Sequence, residues 1–434
     1  MNCVSRRQVL GGLVAGTAVL ASAPSYAKNA SHRLPTPPAS ASPVELARNE
    51  SFWREVATYY DRTEGIVNLE HGYWGKMAHP VQDQYIAASR MVNAQNSFYG
   101  RKGYDADAAV SVRRIAEALG AREDEIVITR NATEAIHNLI RQYQGLRKGD
   151  AVLLADVDYP GFKTAMLWLE KAYGVQAISI SLPSRASQAQ ILKLYIEALD
   201  ANPRLKLMLV THVSNQHGLV IPVAEIAKQA KRRGIDVICD SAQSWGLIDY
   251  KVNELGVDWV GFNLHKWIGS PVGVGALYMR RGSLQKIAPY PGESDPEHIN
   301  AAARVHIATS NFASVLAIPA ALDFHQAIGS ANKEARLRHL RRLWTNEAER
   351  MSHIDVLGGA DEESWTGIGS FRLQGKTSID DAHQLQQALE QDFGLFTVVR
   401  KGLSSGGCVR VTPQVFTSAE EIGRLVNALH RLGT

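Results

Sequence analysis

Two apolar runs decide the fold: Asp236-Val237-Ile238-Cys239-Asp240-Ser241-Ala242-Gln243 and Trp259-Val260-Gly261-Phe262-Asn263-Leu264-His265-Lys266-Trp267. Both read as strands covered on both faces, and each ends in residues that carry chemistry. Working outward, comparable runs lie at 125–129, 151–155, 176–182, 206–213 and 274–279. Helical patterns separate several of them, at 134–143, 161–173, 188–201 and 223–233. This alternation predicts an α/β fold with a mostly parallel seven-stranded sheet between helices. Ligands in such sheets gather at the carboxyl ends of the strands. Asp158, Tyr159, Asn215, Asp240 and Lys266 all fall there. Beyond about residue 308 the pattern changes. A helix at 338–351 is followed by strand 370–373, helix 379–393, strands 396–400 and 409–412, and helix 419–432. Ser418 and Glu421 form a capping-box start for the last helix. The expected organisation is a large domain over 81–307 and a smaller α+β domain over 45–80 and 308–434.

The strand ends suggest a cofactor. Asp240 closes one strand, Gln243 follows three residues later, and Lys266 comes at the end of the next strand but one. Pyridoxal 5'-phosphate needs an amine for its aldehyde, an anion beside its ring nitrogen and a donor for its phenolate oxygen. Lys266 would form the Schiff base and afterwards move protons at the substrate α-carbon. Asp240 would hold a proton on the ring nitrogen, and Gln243 would donate to the phenolate oxygen. An anion site is expected where strand 125–129 turns through Arg130-Asn131-Ala132-Thr133 into a helix. Thr133 is a good helix-start residue. Backbone N–H groups at Ala132 and Thr133, with the Thr133 hydroxyl, suit a phosphate without a lysine.

With these residues in place, the chain resembles the class V aminotransferases, fold-type I pyridoxal-phosphate enzymes, and among them the isopenicillin N epimerase-like branch. The resemblance runs from about residue 51 to the C-terminus. It rests on Asn131-Ala132-Thr133-Glu134, 156–160, 211–218, 240–243, 263–266, Ala308-Thr309 and Val409-Arg410-Val411. It implies that Tyr159 stacks on the cofactor ring, where an aromatic face suits a flat partner. It implies that Asn215 lies near the phenolate oxygen and the substrate carboxylate. Asn263 and His265 would contact the phosphate, although many members carry Ser where this chain has Asn263. Thr309 corresponds to a Gly-Thr pair that reaches the phosphate of a second subunit, here Ala-Thr, so a homodimer with shared sites is implied. Arg410 corresponds to the arginine that clamps the substrate α-carboxylate, a task for a planar fork.

The three cysteines are Cys3, Cys239 and Cys408. Relatives that strip sulfur from cysteine carry a nucleophilic thiol on a loop well before the clamping arginine. Here Leu395-Phe396-Thr397-Val398 occupies that region. Cys408 shares a strand face with Arg410 by alternation, but the loop position has no thiol, which argues against desulfuration. Cys239 reads as a small core residue.

Ser5-Arg6-Arg7-Gln8-Val9-Leu10 precedes an uncharged apolar stretch to Ala23, with Ser25-Tyr26-Ala27 as a small-residue cleavage site. Paired arginines before a short, glycine-containing apolar stretch resemble a twin-arginine export signal. The expected destination is the periplasm, reached through the twin-arginine machinery with the cofactor already loaded. The stretch is too short to be a stable membrane anchor. Residues 28–44, rich in Ser, Ala and Pro, read as a flexible linker. The formal charge of +4 would drop by two with Arg6 and Arg7. No basic block or recognition motif points to nucleic acid, and no spaced His/Cys set points to a metal.

Two aromatic, glycine-containing segments, 68–75 and 96–101, read as loops, and the resemblance implies that they line the substrate mouth. Arg101 in the second is a candidate for a substrate carboxylate. The leading functional reading is chemistry at the α-carbon of an amino-acid or peptide-like metabolite with a free amine, with epimerisation following the resemblance. The alternatives are transamination or tailoring of a secreted metabolite, such as a glutamyl side chain on a siderophore, and a non-catalytic cofactor-binding protein. The intact Lys266, Asp240 and Arg410 argue against the last.

Overall fold

The strands of the large sheet bury alternate side chains on opposite faces. In the computed structural model, which describes residues 34–293 and 300–433, Val152, Leu154, Leu209 and Ile238 face one apolar cluster. Leu153, Val210, Cys239 and Val260 face another. A sheet apolar on both faces needs helices on both faces, and the connecting segments supply them. The expected leader lies outside the described residues.

The strands are β1 (Val67–Asn68), β2 (Ile126–Thr129), β3 (Ala151–Ala155), β4 (Gln176–Ile180), β5 (Arg185–Ala186), β6 (Leu205–Thr211), β7 (Asp236–Ser241), β8 (Trp259–Asn263), β9 (Gly275–Met279), β10 (Ile354–Gly359), β11 (Gly369–Leu373), β12 (Leu395–Phe396), β13 (Val398–Arg400) and β14 (Cys408–Val411). The seven-stranded sheet has the order β2-β9-β8-β7-β6-β3-β4. Only β9 opposes its neighbours; the pairings among β4, β3, β6, β7 and β8 are parallel. This is the expected α/β architecture. Lys266 leaves β8, which pairs directly with β7, so it stands one strand from Asp240 and not two as the spacing suggested.

A second sheet, β13-β14-β11-β10-β5, is antiparallel except where β10 meets β5. Strand β10 was not anticipated, nor was β5, which ties this sheet to the segment before helix Gln188–Ala201. The helix expected at 338–351 begins earlier, at Ser330, and runs to Ala348. The larger departure is at 96–101. It is not a loop but the C-terminal part of helix His79–Lys102, kinked at Asn96 (φ 46°, ψ −132°). Local composition suggested a loop, yet only Asn96 leaves the helical region, and Asn tolerates positive φ better than most residues.

Candidate active site

Parallel strands deliver the site. Asp240 is buried near the end of β7. One of its oxygens accepts from the Ala242 N–H at 2.8 Å. Burial pushes its carboxyl up to about 6, against the pull of the Ala242 N–H and of Lys266. The Lys266 amine has no hydrogen-bond partner among the described residues. Burial lowers it to about 8; Asp240 opposes that shift, while Arg410 and Arg400 reinforce it. A lysine near neutrality in a dry site is a competent amine nucleophile. Asp158, fully buried beside them, accepts from Thr211 Oγ1 at 2.7 Å and from the Ala155 N–H at 2.7 Å. Burial raises it to about 7.

The turn after β8 is fixed from both sides. Gly75 N donates to His265 O at 2.8 Å, and a Cβ on Gly75 would collide with Lys266 O. Behind it, the buried Lys333 amine donates to Trp267 O at 2.7 Å and meets His325 Nδ1 at 3.0 Å. Lys333 gave no signal in the sequence, because nothing in helix Ser330–Ala348 marks one lysine as turned inward.

The anion end is the N-terminus of helix Ala132–Gln142. Its cap is not Thr133 but Asn131, whose side chain accepts from Glu134 N at 2.8 Å. Thr133 lies within the first turn, where backbone N–H groups lack intrahelical partners, and its hydroxyl makes no hydrogen bond among the described residues. Glycines let this helix press on the sheet. A Cβ at Gly261 would meet Ile136 Cγ1 at 2.7 Å, and one at Gly275 would meet Asn131 Cα at 2.6 Å. Asn263 was expected at the phosphate; its Oδ1 instead accepts from Ala132 N at 2.8 Å, which takes that N–H out of the anion site. His265 Nδ1 donates to Val274 O at 2.8 Å, so the neutral ring presents a bare Nε2. Burial holds His265 down at about 4. An anion at Nε2 would therefore have to draw a proton onto the ring.

Gln243 is partly spent too. Its Nε2 donates to Gly72 O at 2.8 Å and its Oε1 accepts from Trp267 Nε1 at 2.9 Å, which leaves one N–H for a phenolate oxygen. Tyr159 caps helix Pro160–Tyr173 without a side-chain bond and rests edge-on against Phe162, 5.2 Å between centroids. It is 41% exposed, so its ring is free to receive a flat partner.

The opposite wall is the surprise. Arg410 is fully buried. It donates to both Glu70 oxygens at 2.6 and 2.8 Å and to Asn215 O at 2.7 Å. Gly72 lies against its guanidinium, where a Cβ would stand 2.5 Å from a terminal nitrogen. The segment 68–75 thus lies against Arg410 and the His265–Lys266 backbone, and its carboxylate fills the arginine's fork. Asn215 contributes its carbonyl to Arg410, while its side-chain oxygen accepts from Gln216 Nε2 at 3.3 Å. Arg101 is exposed on helix His79–Lys102, and Thr309 is exposed beside Ala308, which adopts φ 54°. Neither is brought to the Lys266 cluster by a contact within this chain. Cys239 and Cys408 are fully buried free thiols. Burial pushes Cys408 up to about 11, so neither is placed as a nucleophile.

The amine, the free carboxylate oxygen, the open aromatic ring and the helix N-terminus fit pyridoxal phosphate. Comparison with known proteins agrees. The family model described as "Aminotransferase class-V" matches residues 81–425. Isopenicillin N epimerase of Streptomyces clavuligerus is 27% identical over 343 residues, covering 73% of this chain and 82% of that protein. The enzyme of the same name from Amycolatopsis lactamdurans is 24% identical over 398 residues, covering 88% and 98%. A probable cysteine desulfurase of Vibrio cholerae is 25% identical over 333 residues, covering 73% and 80%. Among solved structures, a C-DES mutant with glycine covalently linked to its PLP cofactor superposes with TM-score 0.74 at 22% identity, over 84% of this chain and 96% of that one. The cysteine desulfurase of Thermococcus onnurineus gives 0.72 at 20% identity, over 87% and 97%. At those identities the structures establish the fold alone.

Proposed function

The chain belongs to the class V aminotransferase family of pyridoxal-phosphate-dependent enzymes, and from that premise we propose that it acts at the α-carbon of an amino-acid or peptide-like metabolite with a free amine, by epimerisation. The observation that carries the reading is the placing of Lys266 beside Asp240 on paired strands. The bound cofactor supplies an electron sink for the carbanion that forms when an α-proton leaves. Lys266 would hold the cofactor by its aldehyde and, with its amine freed, would take up and return the proton at the substrate α-carbon. Asp240 keeps the ring nitrogen protonated, Gln243 donates its remaining N–H to the phenolate oxygen, and Tyr159 covers the ring. The helix N-terminus at Thr133 binds the phosphate, with a protonated His265 beside it.

Epimerisation is favoured over desulfuration by the buried state of both described thiols and by the likeness to the two epimerases. The enzyme works as a homodimer in which Thr309 of each subunit reaches the other's phosphate. The exposure of Thr309 and of the aromatic residues Tyr73, Trp74 and Phe98 supports that reading. Export by the twin-arginine route to the periplasm follows from Arg6-Arg7 and the stretch behind it. Arg6→Lys with Arg7→Lys is expected to hold cofactor-loaded protein in the cytoplasm; undiminished delivery would point to another route.

Holoenzyme in deuterated water with a panel of L- and D-amino acids and free-amine dipeptides tests the reaction. Deuterium at the α-carbon with inversion is expected. Accumulating keto acid would turn the reading to transamination, and no exchange with any amine would contradict α-carbon chemistry.

A further inference from the structure

We infer that Arg400, not Arg410, receives the substrate's carboxylate, and that Glu70 is what reassigns the task. The inference rests on the proposed amine chemistry only for what sits on the other end of the substrate.

Strand β13 pairs with β14 so that Arg400 stands opposite Cys408 and Val398 opposite Arg410. Directly paired residues share a face, so both arginines face the same side of the small sheet. Their surroundings differ. Arg410 has three short hydrogen bonds and no exposure. Glu70 is 7% exposed and also accepts from Thr412 Oγ1 at 3.1 Å. Burial acts to raise the Glu70 carboxyl, but Arg410 and then Arg400 hold it below the usual carboxylate range. It stays ionised at neutral pH and keeps its grip. A substrate carboxylate could reach Arg410 only by expelling a buried, doubly bonded carboxylate from under the Gly72 backbone.

Arg400 has the opposite condition. Its side chain is 22% exposed, comes no closer than 3.8 Å to Glu70, and makes no hydrogen bond among the described residues. Its Nε is buried without a partner among the described residues, as is that of Arg410, so the difference between the two lies at the terminal nitrogens, which only Arg410 has bonded. A largely buried guanidinium with an empty fork is costly unless something pairs with it. The group lies within electrostatic reach of Arg410, Tyr159 and Lys266. With two arginines and one glutamate, this wall carries one net positive charge, which one carboxylate neutralises. The site is therefore built for an amine whose near end bears a single carboxylate, held by Arg400 in a planar two-point contact.

Propionate, a carboxylate with no amine, gives a test that does not need turnover. The holoenzyme's absorption reports the titration of the Lys266–cofactor linkage, which lies close to Arg400. Saturating propionate is expected to raise that midpoint by about one unit, the size of removing one nearby positive charge in a half-buried site. Arg400→Gln should abolish the rise and Arg400→Lys should retain part of it. The double variant Glu70→Gln/Arg410→Gln, which removes the buried pair together, should keep it. A rise that survives Arg400→Gln but vanishes in the double variant would return the carboxylate to Arg410. If propionate leaves the wild-type midpoint unmoved while amino acids still bleach the linkage, the inference fails and the proposed chemistry stands. If propionate moves the midpoint but no amine reacts, the inference holds and the proposed chemistry fails.

Discussion

The floor of the cleft and its far wall are assembled differently. Lys266 and Asp240 hang from adjacent strands of one sheet, in an ordinary order along the chain. The wall brings Glu70 to Arg410 across 340 residues of sequence. Among the described residues, the floor leaves its reactive groups unsaturated: Lys266 without a partner, Asp240 with an oxygen to spare. Among the described residues, the wall engages both terminal nitrogens of one arginine and leaves those of its neighbour without a hydrogen bond. A site that must hold a cofactor and admit a substrate keeps open the groups those molecules use. By that criterion the open arginine, not the filled one, belongs to the ligand.

Substitutions should separate the two regions by kind of damage. Arg410→Ala strands the Glu70 carboxylate in a buried place. Breaking a buried pair from one side typically costs about 3–5 kcal/mol, so a large drop in urea-midpoint stability is expected even in the apo protein. A small drop, with weakened carboxylate binding as the main effect, would make Arg410 a ligand group and erase the contrast.

Asp240 should show its effect in pH dependence. Burial pushes its folded carboxyl up to about 6, from an ordinary value of 3.8. The folded state therefore binds more protons than the unfolded one between those values. Its contribution is fully present below about pH 4 and is lost as pH rises through 6. Apo Asp240→Asn is expected to lose less stability than the apo wild type across that window, by about 1–3 kcal/mol. Parallel curves would mean that Asp240 is not held in a dry site. The smallest effect belongs to neither region. Ala308 sits at φ 54°, which favours glycine, so Ala308→Gly should stabilise by about 0.5–1 kcal/mol. Destabilisation would show that the methyl group is packed, not strained.

The contrast also explains what the sequence could show. Buried parallel strands announce themselves as uninterrupted apolar runs, so β3 matches expectation to the residue and β8 begins where its run begins, and Asp240 and Lys266 stand out at strand ends. Hydrogen-bond partners are not written locally. Asn263 looked available for a phosphate, but only the fold reveals that Ala132 uses its oxygen. Arg400 looked like the end of an unremarkable strand, because its emptiness is a property of what surrounds it. Glu70 lay inside a segment already marked as unusual, yet its partner could be found only once β14 was in place. Lys333 shows the same limit from the other side: a buried lysine lowered to about 7 by burial, hidden in a helix rich in basic residues.

Lys333 also sets the sharpest alternative to the central assignment. Both it and Lys266 are lysines in dry surroundings, but of the two Lys266 has Asp240 on the neighbouring strand and an amine free of hydrogen bonds among the described residues. The direct measurement is borohydride reduction of the holoenzyme followed by peptide mapping. The phosphopyridoxyl group is expected on Lys266 alone, and Lys266→Ala should yield no labelled peptide. A label on Lys333, or on any other lysine of the wild-type protein, would contradict the account.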